Sequence, residues 1–148
     1  MAAPDDICWM RRAIELARMN LGLTGDNPSV GCIIVKDGAA VGEGATAPGG
    51  RPHAEELALD QAGEGARGAV AYVTLEPCGE RSCGVASCSE RLVRAGLSRV
   101  IIACEDASVL AAGRGVARLR EAAIAVEPCV LSEEAAGLYS AYRPRGSR

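Results

Sequence analysis

Residues 69–78 read A-V-A-Y-V-T-L-E-P-C and form the most informative stretch of this chain of 148 residues. The run at 69–75 is apolar and rich in β-branched and aromatic residues, which predicts a buried strand. Pro77 disfavours continuation of a central strand because proline has no backbone N–H to donate to a neighbouring strand. We therefore expect Cys78 to lie at the carboxyl edge of a sheet, where α/β folds place their functional groups.

The segments on either side alternate between helix-like and strand-like patterns. Apolar residues spaced three and four apart predict a first helix at 6–21. A β-rich run at 30–36, the turn dipeptide Asp37-Gly38 and residues 39–43 together predict a hairpin. Further helices are predicted at 53–62, 88–95, 115–123 and 132–142, and further strands at 99–103 and 124–130. The chain is therefore predicted to form an α/β fold with about five strands in a mixed sheet and helices on both faces.

Composition limits the possible domain organisation, binding partners and cellular location of the protein. No linker divides the chain, so we expect a single domain over residues 1–148 with a flexible tail at 143–148. A net charge of −3 and an aromatic content of 3% disfavour nucleic acid as a partner, because such binding needs clustered cations and stacking rings. A small-molecule substrate is favoured instead. We expect no membrane span and a cytoplasmic location, since no run approaches the roughly 18 apolar residues of a transmembrane helix.

The histidine, glutamate and cysteine residues form a pattern with a chemical meaning. His53 is the one histidine of the chain, and with Glu55 it forms an H-x-E motif that is followed by Pro77-Cys78 and by further cysteines. This arrangement is typical of zinc deaminases. A catalytic zinc ion is held by three nitrogen or sulfur ligands and keeps an open position for water. His53, Cys78 and one later cysteine meet that count, so one Zn²⁺ per chain is predicted, with Glu55 moving protons beside it.

The short spacing within the H-x-E motif constrains its position on the helix. Residues two apart in a regular helix point in different directions. We therefore expect His53 at or just before the helix start and Glu55 in the first turn. The helix N-terminus would then face the metal, as would that of the helix beginning near Cys88, and both helix dipoles would favour thiolate.

Two cysteines compete for the third ligand position. Cys88 immediately precedes a predicted helix, whereas Cys83 lies within a loop where nothing sets its direction. Cys88 is therefore preferred, and Cys83 remains the alternative ligand. If Cys83 joined the other three, the site would have four protein ligands, as structural zinc sites do. The four remaining cysteines lie in predicted helices or strands and are interpreted as small buried side chains: Cys8, Cys32, Cys104 and Cys129.

Five motifs spread along the chain carry a resemblance to a known family. They are N-P-S-V-G-C at 27–32, V-G-E-G at 41–44, P-H-A-E at 52–55, A-Y-V-T-L-E-P-C at 71–78 and A-G-R-G at 112–115. With these motifs the chain resembles the cytidine-deaminase superfamily, and most closely the deaminase domain of the bifunctional riboflavin-biosynthesis deaminase-reductase. The resemblance implies a three-layer α/β/α sandwich around a five-stranded sheet. It also implies zinc ligands at His53, Cys78 and Cys88 and a proton shuttle at Glu55.

The resemblance further implies a substrate, contact residues and an oligomeric state. The family domain deaminates a diaminopyrimidinone ribosylamino phosphate, and members of the superfamily commonly form homodimers. The expected substrate contacts are Asn27, Ala54, Glu76 and Arg81. A deaminase of cytosine, cytidine, guanine or a nucleotide is the alternative reading. A tRNA-editing deaminase and a non-catalytic zinc-binding protein are also considered.

Overall fold

A computed structural model describes residues 3–78, 87–105 and 113–140 of the chain. The predicted tail at 143–148 and the candidate residues Arg81 and Cys83 lie outside the described residues. Within the described ranges, no helix is long and apolar enough to cross a membrane. The elements are α1 (Pro4–Met19), β1 (Gly31–Lys36), β2 (Ala39–Ala45), α2 (Ala54–Ala62), a short 3₁₀ turn (Gly63–Ala66), β3 (Val70–Leu75), α3 (Cys88–Ala95), β4 (Arg99–Cys104), α4 (Arg114–Glu121), β5 (Ala125–Glu127) and α5 (Ser132–Tyr139).

The five strands form one mixed sheet in the order β2-β1-β3-β4-β5. Strand β1 runs antiparallel to both β2 and β3, whereas β3, β4 and β5 are parallel. The hairpin turn has positive φ at Asp37 (52°) and Gly38 (79°), as a primed two-residue turn requires. The predicted five-stranded mixed sheet is confirmed.

Alternate residues of the central strands face two separate apolar layers. Cys32 and Val73 point into the layer formed with α2, α3 and α4. Ile33 and Tyr72 point into the layer formed with α1 and α5. This alternation is the period-2 pattern of a sheet covered on both faces. The fold is therefore the three-layer α/β/α sandwich that the family resemblance implied.

Two glycines allow helices to approach the sheet closely. A Cβ atom at Gly44 in β2 would overlap the carbonyl oxygen of Ala54, at the start of α2. A Cβ atom at Gly115 in α4 would overlap the carbonyl oxygen of Pro77, just after β3. Both contacts hold a helix N-terminus near the same end of the sheet as Cys78.

A polar cluster centred on the buried residues Asp6 and Tyr72 attaches α1 to the strands. The carboxylate of Asp6 accepts hydrogen bonds from the Tyr72 hydroxyl at 2.6 Å and from Nη2 of Arg99 at 3.3 Å. Arg99 also donates to Glu127 at 3.3 Å. Burial raises the pKa of the Tyr72 phenol, as does the hydrogen bond to Asp6. The cluster joins α1, β3, β4 and β5.

Several element boundaries differ from the prediction. Helix α1 begins at Pro4, because proline suits the first helical position, where its missing N–H costs nothing. Strand β5 covers only Ala125–Glu127 of the seven residues predicted at 124–130. Pro128 follows it directly, and the positive φ values of Cys129 (64°) and Leu131 (58°) turn the chain toward α5. The last residues of the helix predicted at 132–142 lie outside the described residues.

The interpretation of the four other cysteines as buried side chains is partly wrong. Cys32 is buried in the sheet and Cys104 is half-buried. Cys8 and Cys129 are exposed. Cys8 lies on the side of α1 opposite its buried residues, and Cys129 lies in the turn after β5 rather than in a strand.

Replacement of Gly115 by alanine is expected to lower the free energy of unfolding by about 1–3 kcal/mol, because the added Cβ would overlap backbone that cannot move freely. Gly137 provides the control, since it is exposed within α5 and a Cβ there meets nothing within 4 Å. Gly137→Ala is expected to raise the free energy of unfolding by about 0.5–1 kcal/mol. Urea denaturation followed by circular dichroism measures both. Equal effects of the two substitutions would contradict the close helix–sheet contact.

Candidate metal centre

His53, Cys78 and Cys88 converge at the carboxyl end of β3. Their ligand atoms all lie within 4.8 Å of one another. Nδ1 of His53 is 3.3 Å from Sγ of Cys88, and the backbone N–H of Cys88 donates to Sγ of Cys78 at 3.2 Å. Residues far apart in the chain thus form one compact group that can hold a single metal ion.

Each of the three residues is positioned by the end of a regular element. His53 is the N-cap of α2, with φ −72° and ψ 158°, and is not part of the helix itself. Cys78 follows β3, where Pro77 has ended the strand, and its carbonyl accepts from the N–H of Ser89 at 3.1 Å. Cys88 is the first residue of α3, which Ser87 caps by accepting from the N–H of Glu90. The expected placement of His53 just before its helix is confirmed.

The N-terminus of α3 provides an electrostatic environment for the sulfur atoms. Hydrogen bonds from the Cys88 side chain, from His53 and from the Cys88 backbone lower the pKa of the Cys78 thiol well below its usual range. The first N–H groups of a helix have no partner within the helix and favour a negative charge. Cys78 is therefore prepared to bind as thiolate.

Glu55 is a buried carboxyl group in the first turn of α2. Glu55 is only 4% exposed. Burial raises the pKa of Glu55 to about 7, against the opposing effect of His53. A carboxyl group with such a pKa can both accept and release a proton near neutral pH. This is the property that a proton shuttle requires.

The donor set fits zinc in a catalytic site. One imidazole nitrogen and two thiolate sulfurs are ligands that zinc binds readily, and three protein ligands leave a fourth position for water. Glu55 lies beside these ligands, since it follows the N-cap His53 by two residues and is buried in the first turn of α2. Cys83 lies outside the described residues, so its alternative role as a third or fourth ligand stays a prediction.

The predicted substrate contacts lie in different surroundings. Nδ2 of Asn27 donates to the carbonyl oxygen of Gly50 at 2.9 Å, which joins the loop after α1 to the loop before His53. Ala54 is buried at the first position of α2. Arg81 lies outside the described residues. The role of these residues in substrate binding stays a prediction.

Glu76 has a structural role that its sequence position did not indicate. Its two carboxylate oxygens accept from the N–H groups of Gly113 and Val116, each at 3.2 Å. A residue at the end of β3 thereby caps α4, a helix that begins many residues later. A substrate contact by Glu76 stays a prediction beside this role.

Sequence reasoning also missed Glu56. Its Oε2 accepts from the backbone N–H of His53 at 2.9 Å, and its Oε1 lies 3.5 Å from Nε of Arg91 in α3. The available signal was the spacing of three residues between the N-cap and a glutamate, which is that of a capping box.

A sandwich of this topology, with an imidazole and one thiol at helix N-termini, a second thiol after the central strand and a buried carboxyl group beside them, defines the class of zinc-dependent deaminases. Residues 4–104 match the model of the family described as the cytidine and deoxycytidylate deaminase zinc-binding region. The chain belongs to this family, whose enzymes are hydrolases of C–N bonds.

Individual relatives show which members of this family the chain is similar to. Riboflavin biosynthesis protein RibD of Escherichia coli is 44% identical over 95% of this chain and 38% of its own length. The diaminohydroxyphosphoribosylamino-pyrimidine deaminase of Buchnera aphidicola is 42% identical over 88% of this chain and 88% of its own length. A solved structure of Acinetobacter baumannii RibD matches 91% of this chain and 38% of that chain, with 49% identity and a TM-score of 0.87. The chain thus spans less than half the length of these RibD relatives.

The choice between Cys88 and Cys83 can be tested by metal content. Cys88→Ser is expected to reduce bound zinc from about one ion per chain to near none, because only two ligands would remain. Cys83→Ser is expected to keep the metal, and so is Cys8→Ser, a control at an exposed position of α1. Mass spectrometry of the metal in the purified proteins gives the answer. Zinc lost by Cys83→Ser and kept by Cys88→Ser would reverse the assignment.

Proposed function

We propose that this chain is a single deaminase domain that hydrolyses the amino group of a diaminopyrimidinone ribosylamino phosphate and releases ammonia. The observation that carries this proposal is the compact group of His53, Cys78 and Cys88 with the buried Glu55 beside it. The substrate is supported by the Buchnera relative, which matches most of both chains and is named as a deaminase of that compound class.

The reaction exchanges one bond for another at a ring carbon. A C–O bond forms to the oxygen of water, the C–N bond to the exocyclic amino group breaks, and ammonia leaves. When zinc is bound by the three ligands, it supplies a Lewis acid that makes water a nucleophile near neutral pH. Glu55 takes a proton from the attacking water and passes it to the ring nitrogen; it then takes the proton of the newly attached hydroxyl group and delivers it to the departing nitrogen, as the C=O bond forms. Each proton that Glu55 accepts is thus released again before the cycle ends.

The surroundings of Glu55 suit these proton transfers. Burial keeps bulk water away from the carboxyl group and raises its pKa, so that its protonated form is accessible at neutral pH. The N-terminal N–H groups of α2 and α3 lie near the ligands and stabilise negative charge there. The carboxyl group of Glu55, which exchanges protons, therefore lies next to ligands that can carry negative charge.

Two of the expected contacts would orient the substrate ring. Because Nδ2 of Asn27 donates to Gly50, its amide oxygen is the atom that it would offer to a ring N–H or amino group. Ala54 stands at the first position of α2, where the N–H has no partner within the helix and would donate to a ring carbonyl. These contacts would hold the reacting carbon over Glu55.

The proton-shuttle role is tested by Glu55→Gln. This variant is expected to keep zinc and to lose about 10²–10⁴-fold in turnover, because the amide cannot accept the water proton. Glu64→Gln, at an exposed position of the 3₁₀ turn, is the matched control and should keep wild-type turnover. Ammonia release under saturating substrate measures both variants. Turnover preserved in Glu55→Gln would remove Glu55 from the mechanism.

The substrate assignment is tested by a panel of amino-heterocycles. Ammonia is expected from the diaminopyrimidinone ribosylamino phosphate and not from cytidine, cytosine, guanine or dCMP. The opposite pattern would support the alternative, a nucleoside, base or nucleotide deaminase. Zinc binding without turnover on any member would support a non-catalytic zinc protein, and turnover on tRNA alone would support an editing enzyme.

The remaining parts of the proposal concern assembly and location. We place the enzyme in the cytoplasm and expect it to act on a small molecule as a homodimer. Three large apolar side chains near the end of α1 are exposed in the single chain, which gives the pairing some support: Met19, Leu21 and Leu23. Sedimentation equilibrium gives the mass, and a monomer at micromolar concentration would contradict the pairing.

A further inference from the structure

Glu56 connects the two helices that carry metal ligands. Its Oε2 accepts from the backbone N–H of His53 at 2.9 Å, so it holds the N-cap of α2. Its Oε1 lies 3.5 Å from Nε of Arg91, a residue of α3. The Glu56 side chain is 12% exposed and that of Arg91 is 38% exposed, so solvent screens this pair only in part. One carboxylate therefore contacts both the backbone of His53 and the helix of Cys88.

Arg91 is closely tied to the ligand at the start of α3. Its backbone N–H donates to the carbonyl oxygen of Ser87 at 3.0 Å, within the turn that contains Cys88. A movement of Arg91 would therefore also move the first turn of α3. The Glu56–Arg91 pair spans the same gap between α2 and α3 that His53 Nδ1 and Cys88 Sγ span at 3.3 Å.

The opposite side of α3 is held in a similar way. Nη1 of Arg118 in α4 donates to Glu90 at 2.6 Å and to the hydroxyl of Ser87 at 3.3 Å. Helix α3 is therefore attached by arginine side chains to α2 on one side and to α4 on the other. Of these two attachments, the one through Arg91 joins α3 to α2, the helix that His53 caps.

We propose that Glu56 and Arg91 are positioning residues that set the separation of His53 and Cys88 and thereby prolong the lifetime of the bound metal. The inference rests on the zinc site of the proposed function. A metal site binds most tightly when the protein holds its ligands in place before the ion arrives. Without the pair, α2 and α3 can separate, and each departure of one ligand gives the ion an opportunity to leave.

The test compares zinc release from variants that differ in one charge. Arg91→Gln removes the cation, and Glu56→Gln removes the anion while its amide oxygen still accepts from the His53 N–H. Each is expected to release zinc about tenfold faster into an excess of a chromophoric chelator. Arg94→Gln is the matched control, because Arg94 is also in α3, is 72% exposed and pairs with Glu90 of the same helix at 3.9 Å. It should release zinc within about twofold of the wild-type rate, as expected for an exposed ion pair.

The double variant Glu56→Gln/Arg91→Gln tests whether the residues act together. Its release rate should equal that of either single variant, because one shared interaction is removed in all three. Co²⁺ binding, followed through thiolate-to-metal absorption, should weaken by a similar factor in all three variants. Rates that multiply in the double variant would overturn the shared role. A lower melting temperature of the metal-free variants with unchanged zinc release would show a merely structural pair and would also overturn it.

The outcome separates this inference from the proposed function. If the wild-type protein keeps zinc and releases ammonia while Arg91→Gln releases zinc at the wild-type rate, this inference alone is wrong. If the wild-type protein binds neither Zn²⁺ nor Co²⁺, the proposed function is overturned, and the inference with it.

Discussion

The hydrogen bond from the Cys88 N–H to the Cys78 sulfur joins the end of β3 to the beginning of α3. A second hydrogen bond, from Ser89 to the Cys78 carbonyl, doubles this connection. Because the free N–H groups of a helix lie only at its N-terminus, α3 must point that end at the sulfur. Helix α2 also presents its N-terminal end to the centre, since its N-cap is the ligand His53. Gly44 leaves space for the backbone of α2 at this end of the sheet, and Gly115 leaves space for α4 to approach Pro77 there.

Charge explains why the groups of the centre depend on one another. Burial alone disfavours the ionised forms of Glu55 and of the thiols. The Cys78 thiol is nevertheless prepared to ionise by the hydrogen bonds that it accepts, whereas Glu55 keeps a pKa of about 7. Two acidic groups of the same centre are thus tuned in opposite directions by their surroundings. A divalent cation at the three ligands would offset the thiolate charge and leave Glu55 to exchange protons.

The parts of the fold with strong local patterns were predicted well. Strand β3 and its end at Pro77 follow from the apolar run and from the missing N–H of proline. The β1–β2 hairpin follows from Asp37-Gly38. Strand β5 was predicted too long. Cys129 and Leu131 adopt positive φ values, which their residue types do not predict. The exposure of Cys8 was missed because cysteine is compatible with either side of a helix.

The sequence by itself determined which chemistry is available here. One histidine, one glutamate two residues later and a cysteine after a strand-ending proline specify a zinc site and a proton carrier, because ligand type and spacing are local properties of the chain. Only the tertiary structure decided that Glu76 caps α4 and that Glu56 pairs with Arg91. Both contacts join residues from different elements across the layer, and glutamate and arginine side chains are long enough to reach many partners. No local pattern distinguishes among those partners, so the packing of the helices on the sheet selects them.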